Sequence, residues 1–167
     1  MGRTASLVLT LMVFYCFKVE AQDQVDWLTF ESLEDSMATD PKPVLLYFHT
    51  EWCGFCRKMD KRVFTRPEIL TWMNDHFYAV RMDAESQDTI YFEGQAFTNP
   101  EDQQKGHKIY QIAQVFSRAS VGFVAPTLVV LDPNFRVSSI SFQYTDASAL
   151  KKMLRETLPP YELARQP

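Results

Sequence analysis

The run Glu51-Trp52-Cys53-Gly54-Phe55-Cys56-Arg57-Lys58 stands at a change of pattern in the chain. Before it lies the apolar stretch Val44-Leu45-Leu46-Tyr47-Phe48; after it, helical spacing continues to about Phe64. A buried strand therefore delivers two cysteines to the start of a helix, where amide N–H groups are free and the dipole is positive. A thiolate there is stabilised, so Cys53 is expected to have a lowered pKa and to be the more reactive sulfur. Cys56 follows one turn later on the same face, within reach of a disulfide to Cys53. The spacing suits a dithiol that opens and closes.

These residues resemble the thioredoxin superfamily. Its active-site signature is Trp-Cys-Gly-Xaa-Cys-Lys/Arg after a hydrophobic strand, and Trp52 to Arg57 match it. The second half of the family pattern also stands here, as Ala125-Pro126-Thr127 ahead of Leu128-Val129-Val130-Leu131. It is similar to the cis-proline loop that faces the cysteine pair in that fold. The resemblance covers most of the chain after residue 25. It implies an α/β thioredoxin-like fold, a central mixed sheet flanked by helices, and a thiol–disulfide oxidoreductase.

Composition agrees with a single domain. The chain has 167 residues, 46% hydrophobic and 23% charged, enough to bury a proper core. Residues 1–21 read as a signal peptide: Arg3 supplies a positive start, Leu7 onward an apolar core, and Val19-Glu20-Ala21 a small-residue cleavage site. That apolar stretch is short for a membrane span. Cys16 follows Phe14-Tyr15 rather than small residues, which argues against lipidation. Residues 22–167 are the expected thioredoxin-like domain. Loss of Arg3, Lys18 and Glu20 with the leader takes the formal net charge from −4 to −5. An acidic chain without a basic face is no candidate for nucleic acid.

Only Cys53 and Cys56 of the three cysteines remain after the leader. Structural disulfides in exported proteins normally join distant segments. A four-residue loop contributes about 2 kcal/mol against about 4.7 for a hundred-residue one, so a stapling role is weak. A metal role is weaker: the pair offers two ligands where zinc needs four, or three with an open position. His49, His76 and His107 show no ligand spacing to it. No metal and no cofactor are expected.

Along the chain, residues 25–28 read as a first strand and 31–39 as a helix stopped by Pro41-Lys42-Pro43. The strand at 44–49 and the active-site helix follow, with Met59 and Val63 facing inward. Pro67 opens a further helix carrying Ile69, Leu70 and Met73. Residues 77–82 alternate as a strand, which implies a parallel crossover. An insertion follows at about residues 84–118, longer than compact thioredoxins carry. Residues 89–92 and 95–98 flank Glu93-Gly94 as a hairpin, and 107–117 read as a helix through Ile109, Ile112 and Phe116. Tyr91, Phe92 and Phe97 either pack down on the body or meet a partner. A closing hairpin turns at Asp132-Pro133-Asn134, and Asp146 caps a last helix with Leu150, Met153 and Leu154.

By the resemblance, Cys53 attacks a disulfide and Cys56, expected to be the more buried sulfur, resolves the mixed disulfide. Trp52 covers the site, Gly54 admits a substrate backbone, and Phe55, Ala125 and Pro126 complete the substrate surface. Two positions depart from the thioredoxin pattern. Tyr47 stands where thioredoxin carries a buried aspartate that manages the resolving cysteine's proton; His49 or Glu51 are the nearest substitutes. Phe55 replaces a proline, and the dipeptide between the cysteines tunes the potential from about −270 to about −120 mV across the family.

The expected protein is exported and periplasmic, or alternatively secreted; the C-terminus Leu163-Ala164-Arg165-Gln166-Pro167 is no retention signal. Its expected partners are disulfide-containing protein substrates and a membrane or soluble protein that donates or accepts electrons. It is expected to reduce disulfides as a monomer. The competing readings are a disulfide oxidase or isomerase, and a protein-binding module whose cysteines are vestigial.

Overall fold

Val44 through Phe48 are all fully or almost fully buried, and β2 (Val44–His49) is accordingly the middle strand of the sheet. A computed structural model describes residues 24–99, 109–118 and 121–160. The expected leader at 1–21, His107 and the tail after 160 lie outside the described residues. Parallel to β2 runs β3 (Tyr78–Asp83), and beyond it the short β1 (Trp27–Leu28). On the other side β6 (Thr127–Leu131) and β7 (Val137–Ser141) pair antiparallel. The order is β1-β3-β2-β6-β7, a five-stranded mixed sheet.

Because strand side chains alternate between faces, β2 serves two cores. Leu45 and Tyr47 join Cys53, Cys56, Met59, Ile69, Met73, Leu150 and Leu154. That layer is built by α2 (Gly54–Arg62), α3 (Pro67–His76) and α5 (Ala147–Thr157). Val44, Leu46 and Phe48 instead join Phe30, Leu33 and Met37 of α1 (Phe30–Thr39). The caps follow local chemistry. Thr29 Oγ1 accepts from the Ser32 N–H at 3.1 Å, and Asp146 Oδ1 from the Ala149 N–H at 2.9 Å; each satisfies a donor that the helix leaves free. Pro67, with no N–H to lose, opens α3 without a side-chain cap.

The insertion folds onto the α1 face. Its hairpin pairs β4 (Ile90–Phe92) with β5 (Gln95–Phe97) through Glu93 and Gly94, whose φ angles are 54° and 69°. Two consecutive left-handed residues are what a tight hairpin of native twist requires. Carboxylates of α1 hold this turn: Glu31 Oε1 accepts from the Tyr91 N–H at 3.1 Å, and Glu34 Oε2 from the Glu93 N–H at 3.0 Å. Phe92 lies edge-on to Phe30 and Phe135, at 5.5 and 5.7 Å. Phe92 and Phe97 thus pack down, whereas Tyr91 stays exposed.

The helix expected over 107–117 is shorter. As observed, α4 spans Gln111–Val115, and Ile109 and Phe116 fall outside it while still packing on the core. The reason is tertiary. Tyr110 is fully buried, its N–H donates to the Ala84 carbonyl at 2.7 Å, and its hydroxyl accepts from the Ile90 N–H at 2.9 Å. The hydroxyl proton faces the carbonyls of Asp88, 2.8 Å away, and Phe97. Anchoring Tyr110 to the strands leaves the helix to begin one residue later. It ends early in i→i+3 bonds, Phe116 N–H to Ala113 and Ser117 N–H to Gln114.

Candidate active site

Cys53 is the N-cap of α2, and its Sγ accepts a hydrogen bond from the Cys56 N–H at 3.0 Å. The chain reaches this position through a tight turn in which the Cys53 N–H donates to the Thr50 carbonyl at 3.2 Å. Arg57 Nη1 clamps the same turn on the Glu51 carbonyl at 2.6 Å. Cys53 and Cys56 are joined in a disulfide with their Cα atoms 5.2 Å apart. The expected difference in burial is absent at the residue level: Cys53 is 3% and Cys56 2% exposed. Both side chains of the closed pair pack into the core below α2, so one cannot bury without the other.

Around the pair the surface is aromatic. Trp52 is 55% exposed, and its indole N–H donates to both carboxylate oxygens of Glu85, 3.0 Å from each. Phe55 is 60% exposed with its ring 6.1 Å from that of Tyr144. Lys58 Nζ lies 4.4 Å from the Tyr144 ring centroid, a cation–π contact. A side chain at Gly54 would meet only the Arg57 guanidinium, 3.8 Å away, so the fold itself leaves this surface open. Because β6 runs antiparallel to β2 with Thr127 opposite Phe48, its first residues lie at the end of the sheet where β2 feeds the cysteines. The Ala125–Pro126 peptide bond just before it is cis, and Ala125 packs against the cluster containing both cysteines. Trp52, Gly54, Phe55, Ala125 and Pro126 therefore sit with the disulfide at one end of the sheet.

Beneath the pair lies a second layer. Tyr47 is completely buried, ringed by Trp27, Phe64 and His49 at 5.9, 4.9 and 5.7 Å. The Arg81 guanidinium lies 5.8 Å from its ring and pairs with Asp60 Oδ2 of α2 at 3.0 Å. The Tyr47 hydroxyl and Asp60 Oδ1 are both buried with no partner in close hydrogen-bonding geometry among the described residues, and the two side chains interact with each other. Burial pushes Tyr47 well above the ordinary tyrosine range; the Asp60 carboxylate adds to this and Arg81 opposes it. Burial, then Arg81, lowers His49, against the pull of Asp83, Asp60 and Glu51. Sequence reasoning found Tyr47 and His49 but missed Asp60, Glu85 and Tyr144. Asp60 alone carried a local signal, four residues after Cys56 on one helix.

A mixed sheet flanked by helices, with a CxxC disulfide capping the helix after its central strand, defines a fold of the thioredoxin type. The chain belongs to the thioredoxin-like family, whose model matches residues 26–133. It is similar to chloroplastic thioredoxin Y1 of Arabidopsis thaliana, 33% identical over 73 residues, 44% of this chain. That match spans 38% of the relative's own length. Among solved structures, a thioredoxin from Thermus thermophilus superposes with a TM-score of 0.56 at 20% identity, covering 80% of this chain and 86% of that one. A DsbH oxidoreductase gives 0.54 at 19% identity over 80% and 85%. The C-terminal domain of Neisseria meningitidis DsbD in its oxidised form gives 0.50 at 18% over 79% and 98%. At these identities the likeness is one of fold.

Proposed function

We propose that the protein is a thiol–disulfide oxidoreductase of the cell envelope that reduces disulfides in exported proteins. The observation that carries this reading is the place of Cys53: it caps α2, with the Cys56 N–H aimed at its sulfur. In the reduced state the same N–H and helix terminus stabilise a Cys53 thiolate. That thiolate attacks one sulfur of a substrate disulfide, forms a Cys53–substrate bond and expels the other sulfur as a thiolate. Cys56 then attacks Cys53 Sγ, closes the pair and releases the second substrate thiolate. The substrate gains two electrons and the enzyme loses two, to be restored by a dithiol protein. Trp52, Gly54, Phe55, Ala125 and Pro126 form the surface that receives the substrate chain, which pairs beside Pro126 as a short extra strand.

Export is supported by the leader pattern at 1–21. No helix of the described residues is long and apolar enough to cross a membrane. The likeness in fold to a DsbH oxidoreductase and to the C-terminal domain of DsbD lends support to an envelope role.

The test is substrate trapping. A Cys56→Ser protein should accumulate mixed disulfides with envelope proteins through Cys53, and a Cys53→Ser protein should not. Equal trapping by both, or by neither while a double Cys→Ser protein still binds the same partners, would replace the enzyme with a binding module.

A further inference from the structure

Two aromatic residues in the segment between β7 and α5 each carry a cation. The Arg118 guanidinium lies 5.6 Å from the centroid of the Phe142 ring, and Lys58 Nζ lies 4.4 Å from that of Tyr144. We propose that Arg118 determines substrate specificity: the cleft it closes with Phe142 takes an acidic side chain of the substrate segment that lies beside Pro126. The inference rests on the oxidoreductase reading and deepens it. It names the substrate class as disulfide proteins with an Asp or Glu on one flank of the reacting cysteine.

Register places the cleft. Leu128 of β6 pairs with Ser141 of β7 in an antiparallel ladder, so Phe142 and Gln143 leave the sheet at the end where Pro126 enters it. Arg118, Ile140, Ser141, Phe142 and Gln143 line an open cleft of about 350 Å3 there. Arg118 comes to it from the end of the insertion, on a backbone that is tied down. Its N–H donates to the Gly122 carbonyl at 3.0 Å, and its carbonyl accepts from the Gly122 N–H at 2.8 Å. Gly122, with φ 73°, supplies the left-handed residue of this closure. Phe123 then packs edge-on to Phe48, 6.5 Å away, which fixes the approach to Ala125 and Pro126.

The cleft has a cation and lacks a counter-charge. Among the described residues no carboxylate pairs with Arg118. The next carboxylate along the segment, Asp146, caps α5, where it accepts from Ser148 Oγ and the Ala149 N–H. A guanidinium offers five N–H donors in a planar fork that matches a carboxylate, and exposed Gln143 adds a carboxamide. Lys58, also exposed, extends the positive rim toward the cysteines, since Tyr144 packs against the cluster that contains them. On the β3 side of β2 the sign reverses, because Glu85 stands there against Trp52. In a chain of net charge −4, this gradient marks the β6–β7 side for an acidic segment and decides which flank of the cysteine carries it.

The experiment reacts the reduced full chain with synthetic peptides whose single cysteine is blocked as a disulfide with mercaptoethanol, a neutral group. The residue on one flank or the other is Glu, Gln or Lys, and the second-order rate constant is read at low salt. At one flank the order should be Glu above Gln above Lys, with Glu at least about five-fold faster than Lys, the scale that exposed charge pairs support. Added salt should shrink the difference. Arg118→Glu should reverse the order at that flank, Arg118→Lys should keep most of it, and Lys58→Gln should weaken it without abolishing it. The readout is a ratio between peptides, so a general loss of activity in a variant cancels. Equal rates for Glu and Lys at both flanks, an order unchanged by Arg118→Glu, or one abolished by Lys58→Gln alone would overturn the assignment. Should Arg118→Glu fail to fold, Arg118→Gln and the salt dependence of the wild type decide. A preference undiminished in that variant or in high salt would overturn it. Wild-type protein that exchanges with none of the peptides would instead sink the oxidoreductase reading, and the inference with it.

Discussion

The indole N–H of Trp52 sits between the two carboxylate oxygens of Glu85, 3.0 Å from each. Glu85 is itself held at the root of the insertion, its N–H donating to Asp83 Oδ1 at 3.0 Å. An exposed tryptophan beside the disulfide is thereby kept in one orientation by the segment that departs from β3. Glu85→Ala should leave folding and the Cys53–Cys56 couple intact. Its KM for a protein disulfide should rise several-fold, while its rate with a small aromatic disulfide stays near wild type. Steady-state kinetics with the two substrates checks this; equal loss on both would mean that Glu85 acts on the chemistry and not on Trp52.

Tyr110 holds the insertion from inside. Removing its hydroxyl leaves the Ile90 N–H and the carbonyls of Asp88 and Phe97 short of a partner. Tyr110→Phe should cost about 1–3 kcal/mol in urea unfolding. The amides of β4 and β5 should lose hydrogen-exchange protection before those of β2 and β6. Uniform loss across both sheets would contradict a local anchor.

Glu31 fastens the hairpin to α1 by charge. Its own N–H and then that of Tyr91 hold the carboxyl below its ordinary value of 4.5. A lowered folded-state pKa gives stability that is present above the ordinary value and lost as pH falls through the lowered one. Wild type should therefore exceed Glu31→Gln in stability at neutral pH, and the difference should close in acid below 4.5. Denaturation of both proteins across that range measures it; a gap that persists at the acid end would point to shape and not charge.

Much of this was legible because it was local. The buried run of β2, the cysteine spacing and the Ala125-Pro126 loop are each a few residues long, and period and cap chemistry place them. The insertion was harder. Phe92 and Phe97 pack down while Tyr91 faces out, as strand alternation allows, but nothing local says which face meets α1. The start of α4 depends on Tyr110 reaching back to Ala84 and Ile90, a tertiary fact that helical periodicity does not contain. The cysteine pair is supported by residues far along the chain, Glu85 against Trp52 and Tyr144 against Phe55. Asp60 was legible in principle from its spacing to Cys56. Its pairing with Arg81 and its place beside Tyr47 are tertiary and carry no local signal.

The central claim is that Cys53 and Cys56 form a working reductive dithiol, and their reduction potential tests it most directly. Equilibration of the folded protein against glutathione or dithiothreitol buffers should yield a reversible two-electron couple at about −250 mV or below. A couple between about −120 and −180 mV would contradict the reductive direction and mark an oxidase or isomerase. The absence of any reversible couple would contradict the enzyme.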